Sequence, residues 1–178
     1  MAYAELAAAL DALLEGETDP IANAANAIAA IFYSLPDLNW AGVYFLRGTE
    51  LVVGPFQGRP ACTRIPLGRG VCGTAAAERR SVRVADVADF PGHIACDAAS
   101  RSELVVPLTS AERLLGVLDL DSPRLARFDD SDQAGCELLA TVLARHLALH
   151  LSRFAREVAA RSAESEGAGA HAHPVRGS

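Results

Sequence analysis

The sequence predicts an α+β domain in which an antiparallel sheet is packed by helices. Three observations carry that prediction. Apolar residues recur at helical spacing near both ends of the chain, strand-like runs fill the middle, and no internal repeat is visible. With 178 residues the chain has the length of one domain with a sizeable core, and 51% hydrophobic against 21% charged residues is a globular composition.

The elements follow in order. Residues 2–15 carry Leu6, Leu10, Leu13 and Leu14 in a helical stripe that ends at Gly16. Asp19-Pro20 reads as an N-cap with proline at the first helical position, opening a second helix to about Tyr33. Its expected inner face is Ile21, Ala24, Ala25, Ile28 and Ile31. Runs 41–46 and 50–54 form a hairpin around Arg47-Gly48-Thr49.

Residues 55–91 are expected to be irregular, with a short helix at 73–78 and a short strand at 81–84. So long a stretch inside a domain is the mark of a binding loop or lid. Runs 103–108 and 113–122 are strands joined by a turn at 109–112. Asp130-Ser131-Asp132-Gln133 resembles a capping box before a long helix to about Ser162. Residues 1–162 thus form a single domain, and 163–178, poor in apolar residues, a disordered tail.

Composition excludes several functions. A net charge of −6 opposes binding to nucleic-acid backbones. No apolar stretch reaches the roughly 20 residues of a membrane span, and the acidic N-terminus lacks the basic region of a signal peptide. A cytoplasmic, reducing location follows, so free cysteines are either packing residues or reactive ones.

Of the four cysteines, Cys62, Cys72 and Cys96 lie in glycine-rich segments, where either reading stands. A thiol at Cys72, close to a helix N-terminus, would have its thiolate favoured by the helix dipole. His93 beside Cys96 would lower that thiol's pKa, and Asp97 would raise it. Cys136, on the last helix next to Leu139 and Ala140, reads as packing. A zinc site from His93 and Cys96 lacks a second short-spaced ligand pair, so no metal is expected.

Alternation along 113–122 puts Leu115, Val117, Asp119 and Asp121 on one strand face and Leu114, Leu118 and Leu120 on the other. Glu103 begins the neighbouring strand. Three converging acids can bind an ammonium group and hold one carboxyl protonated, whereas acids at an exposed strand end would only cap the turn at Ser122-Pro123. Trp40 and Tyr44 share a face, as core or as the wall of an apolar pocket suited to a thioether methyl.

NWAGVYFL, GPFQGRPACTRIPLGRGVCGTA, DFPGHIACDAASRSELVVPL and GVLDLDSP together resemble the free methionine-(R)-sulfoxide reductases, GAF-fold enzymes, over about residues 20–150. The resemblance implies a GAF domain whose central antiparallel sheet has helices on both faces. It implies a thioredoxin-dependent oxidoreductase acting on free methionine-(R)-sulfoxide, a homodimer without metal or organic cofactor. Cys96 is then the nucleophile, Cys62 its resolving partner, and Cys72 a further participant. Trp40, Tyr44, Glu103, Asp119 and Asp121 line the substrate pocket. The competing readings are a GAF module that senses a small molecule without catalysis, and a thiol redox switch.

Overall fold

The computed structural model describes residues 2–92 and 98–148. Two N-terminal helices come first, α1 (Tyr3–Leu14) and α2 (Pro20–Ser34). Asp19 caps α2 by accepting from the backbone N–H groups of Ile21 and Ala22 at 2.8 and 2.9 Å. The sheet then unrolls as β1 (Trp40–Arg47), β2 (Glu50–Gln57) and β3 (Arg64–Pro66). After helix α3 (Gly70–Glu78) come β4 (Val82–Val84), β5 (Ser102–Ser110) and β6 (Arg113–Ser122). The last described helix, α4, runs over 130–148.

The six strands pair antiparallel in the order β3-β2-β1-β6-β5-β4, so β1 and β6, far apart in sequence, form the centre. Helices cover both faces, as expected of the fold class. On one face Leu6, Leu10 and Leu14 of α1, Ala24, Ile28 and Ile31 of α2, and Cys136, Leu139 and Leu143 of α4 close over Val43, Leu118 and Leu120. The other face packs under α3, with Val71, Cys72, Ala75 and Ala76 against Tyr44, Val105 and Val117.

Several local expectations shift. On α2 the buried stripe is Asn23, Ala24, Ala27, Ile28 and Ile31, whereas Ala25 faces solvent and Ile21 stays 51% exposed. The supposedly irregular stretch is more ordered than its glycines and prolines suggest. Strand β2 runs on to Gln57, β3 is an added edge strand, and α3 starts three residues early. The cap of α4 is one residue earlier than expected. Asp129 accepts from the Asp132 backbone at 2.8 Å while Asp132 accepts from the Asp129 backbone at 3.0 Å, a reciprocal box built from two aspartates.

The alternation along β6 breaks at Leu115. Pairing with β5 steps from Leu108 opposite Gly116 to Thr109 opposite Leu114, a bulge that leaves Leu115 without a direct partner. The bulge turns Leu115 to the Leu118 side and Leu114 to the Val117 side, the reverse of the expected faces. Beyond the bulge the two-residue period holds, so Asp119 and Asp121 keep the face predicted for them.

Gly116 lies opposite Phe45 in the β1–β6 pair. A Cβ there would lie 2.0 Å from the backbone oxygen of Tyr44 and 3.0 Å from the Cα of Phe45. Backbone cannot swing aside as a side-chain tip can. We expect Gly116→Ala to destabilise the domain by at least about 2 kcal/mol in urea unfolding, the scale of overpacking. A loss under about 0.5 kcal/mol would show that the central strands can part at no cost.

Candidate active site

Register alone assembles the site. Across the sheet centre Trp40 lies opposite Asp121, Gly42 opposite Asp119, and Tyr44 opposite Val117. On the other side of β6, Glu103 lies opposite Asp121 and Val105 opposite Asp119. Directly opposed residues share a sheet face, so Trp40, Tyr44, Glu103, Asp119 and Asp121 converge. The structure brings together all five residues expected to line a pocket.

The aromatic wall is a stack. Trp40 lies 5.8 Å from Tyr44 and 5.5 Å from Phe56, centroid to centroid, at shallow angles of 29° and 15°. Gly42 makes room for it, since a Cβ there would come within 2.2 Å of the Trp40 ring. Phe56 was not anticipated as a site residue. Its signal was present in the hairpin: it pairs with Gly42, the residue between the two aromatics on β1.

The polar ends of the same rings hold the next segment. Trp40 Nε1 donates to the carbonyl of Arg59 at 3.1 Å, and the Tyr44 hydroxyl donates to the carbonyl of Cys62 at 3.1 Å. The wall therefore anchors the loop that carries Cys62. Cys62 is half-buried and disulfide-bonded, while Cys72 and Cys136 are free thiols. Cys96 and His93, the expected nucleophile and its neighbour, lie outside the described residues, so the structure does not place them.

Beneath the wall sits an acidic floor. Glu103 and Asp119 are each 6% exposed. Helix α3 lowers Cys72 onto them, and its thiol donates to Glu103 Oε1 at 3.9 Å. Ligand atoms of Cys72, Glu103 and Asp119 all lie within 4.8 Å of one another. One oxygen of Asp119, Oδ1, is buried without a hydrogen-bond partner.

Burial decides the charge state here. Loss of water, reinforced by the negative charges of Asp119 and Asp121, pushes the Glu103 carboxyl well above the carboxylate range. Desolvation also raises Asp119, to about 6, against the hydrogen bonds that favour its charged form. Glu103 is thus the acid that keeps its proton at neutral pH. Burial and the same two acids push the Cys72 thiol up. This reverses the expectation of a favoured thiolate near a helix N-terminus, because full desolvation beside two acids outweighs the dipole. On the far face, burial pushes Cys136 up to about 12, as a packing thiol requires.

The GAF domain family matches residues 9–151 of this chain. The free methionine-R-sulfoxide reductase of Escherichia coli is 51% identical over 146 residues, 82% of this chain and 88% of that protein. The chain belongs to the GAF family, within its free methionine-R-sulfoxide reductase group. Protein YtsP of Bacillus subtilis is 53% identical over 148 residues, covering 82% of this chain and 91% of its own. The structure of the Neisseria meningitidis free methionine-R-sulfoxide reductase in complex with its substrate superposes with a TM-score of 0.81 at 44% identity, over 85% of this chain and 91% of that one. For this GAF domain, a helix able to span a membrane is absent among the described residues.

The raised carboxyl of Asp119 has a consequence for stability. An unfolded Asp ionises near 3.8 and the folded one near 6, so between those values the folded state binds more protons. Stability from this group is therefore full below the lower value and is lost as pH rises through the higher. We expect Asp119→Asn to be more stable than the parent at pH 7.5, on the order of 3 kcal/mol, and the gain to vanish below about pH 4. Chemical unfolding at both pH values checks this, and an equal difference at both would mean that Asp119 is not ionised against burial.

Proposed function

We propose that this protein reduces free methionine-(R)-sulfoxide to methionine, with Cys96 as nucleophile. The single observation that carries the reading is the pairing of a protonated acid, Glu103, with a second buried acid, Asp119, under an aromatic wall tied to the Cys62 loop. A free amino acid offers this site an ammonium group for the acids and a methyl-sulfur for the rings. The identity to named reductases supports the substrate class.

The chemistry balances without metal or organic cofactor. The Cys96 thiolate attacks the sulfoxide sulfur, and the buried carboxyl delivers its proton to the oxygen. The S–S bond so formed and the S–O bond of the substrate both break as the hydroxyl passes to Cys96, leaving methionine and a sulfenic acid. The Cys62 thiol then condenses with the sulfenic acid, forming the disulfide and releasing water. A thioredoxin dithiol reduces the disulfide by exchange and is itself oxidised.

Cys62 suits the resolving role better than Cys72. Attack by a thiol needs its thiolate, and burial, reinforced by the acids beside it, holds the Cys72 thiol neutral. We extend the proposal to a cytoplasmic homodimer recycled by thioredoxin. The binding-only module and the redox switch differ from it in turnover.

The test is NADPH consumption through thioredoxin and its reductase. We expect sustained turnover with the R epimer of the free amino acid, and at least tenfold lower kcat/KM for the S epimer and for a peptide-bound sulfoxide, about the value of one charged hydrogen bond. Equal rates on the peptide would overturn the ammonium-binding role of the acids.

A second set of variants separates the thiols. Cys96→Ser should abolish single-turnover methionine release. Cys62→Ser should release one equivalent and then stall, and Cys72→Ser should still recycle. Peptide mass spectrometry after substrate without reductant should link Cys62 to Cys96 and leave Cys136 free. Normal methionine release from Cys96→Ser would place the nucleophile elsewhere.

A further inference from the structure

We propose that the floor of this pocket is also a binding site for a soft divalent cation of the zinc class, ligated by the thiolate of Cys72 and the carboxylates of Glu103 and Asp119. Among the described residues these three offer one ligand atom each within 4.8 Å of one another, and all are buried. Metal–ligand bonds of about 2.0 Å to oxygen and 2.3 Å to sulfur place tetrahedral donors roughly 3.5 Å apart. Ligand atoms already within 4.8 Å of one another need to close by only about 1 Å to reach that spacing.

A second observation points to a ligand. Asp119 is 6% exposed, and although neighbouring groups hydrogen-bond its carboxylate, its Oδ1 is buried with no partner. A buried carboxylate oxygen without a donor is expensive to leave unmatched. A cation satisfies its lone pair directly. Two carboxylates and a thiolate carry three negative charges against two positive, so a bound ion offsets most of their mutual repulsion.

The thiol selects the ion. Calcium and magnesium take oxygen donors, whereas a thiolate beside carboxylates suits zinc or cobalt. Binding forms the metal–sulfur bond and releases the Cys72 proton, and the Glu103 proton, to solvent. No electron moves. Three protein ligands leave a fourth position open to water. The ion would occupy the acids that the substrate ammonium needs, so cation and substrate exclude each other. That last step rests on the reductase reading; the binding itself does not.

Cobalt(II) is the probe, because a cobalt–thiolate bond has a charge-transfer absorption that a cobalt–carboxylate bond lacks. The full chain is used in its disulfide form, in which Cys62 is already bonded. We expect a near-ultraviolet band that saturates at one cobalt per chain and is displaced by zinc. Cys72→Ser should abolish it, Cys136→Ser should leave it intact, and Asp119→Asn should weaken cobalt affinity at least tenfold. Circular dichroism of each variant confirms that it is folded. No band, a band that survives Cys72→Ser in folded protein, or one that requires Cys136 overturns the proposal. Either result leaves the reductase reading to its own turnover assay. If both hold, zinc should raise the apparent KM for the sulfoxide with kcat unchanged.

Discussion

Glu103 and Asp119 are buried together, and most of the site follows from the physical cost of that arrangement. Two carboxyls with almost no water cannot both ionise, so one keeps a proton where an exposed acid would have lost it. The sheet can hold them because its opposite face carries the apolar burden. There α1, α2 and α4 close over residues such as Val43, Leu118 and Leu120. Alternate residues of the same β6 thus do opposite jobs: Leu118 and Leu120 stabilise, while Asp119 between them is held against its preference for water. A strand at the sheet edge could not do this, because solvent would reach the acids. Asp119 on β6 and Glu103 on β5 both stand inside the sheet, and α3 packs over the face that carries them.

How much of this was legible in the sequence depends on the range of the interaction. The two-residue period of a strand acts over neighbouring residues, and it placed Asp119 and Asp121 on one face correctly. It failed at Leu114 and Leu115, where a bulge inserts one residue, a feature of pairing with β5 that β6 alone does not encode. The Asp19-Pro20 helix start was readable because its cap bonds reach only two and three residues ahead. Strand β3 was missed for the opposite reason. Three residues have no period to detect, and Arg64–Pro66 becomes a strand only by pairing with β2.

The site shows the same division. Convergence of Glu103 with the aspartates was readable from strand patterns, and the structure bears it out. The depth of that convergence was not readable, because burial under α3 comes from packing of Val71, Ala75 and Ala76 onto Val105 and Val117. Cys72 was misjudged for that reason. Its sequence position suggested a helix terminus and a favoured thiolate, but depth and two acidic neighbours count for more than a dipole. The strand pattern leaves the aromatic pair as core or wall, and only the resemblance assigns the pair to a pocket. Its hydrogen bonds to the carbonyls of Arg59 and Cys62 were invisible, because backbone acceptors leave no mark in a sequence.

Those two hydrogen bonds give the wall a second function that its rings alone would lack. Tyr44 and Trp40 sit on a rigid central strand, whereas Cys62 sits on a connection between β2 and β3 that has little regular structure of its own. A resolving thiol must reach a sulfenic acid quickly, before further oxidation, and yet leave room for substrate. A free loop would search many positions, each adding entropy to be lost on closure. Fixing the carbonyl of Cys62 to a phenol on β1 removes part of that search without touching the sulfur. In the proposed cycle, the ring offered to substrate is also the one that holds the loop carrying Cys62. Under that proposal the aromatic residues on β1 would link binding to recycling, and the buried acids on the same sheet face would link binding to proton transfer.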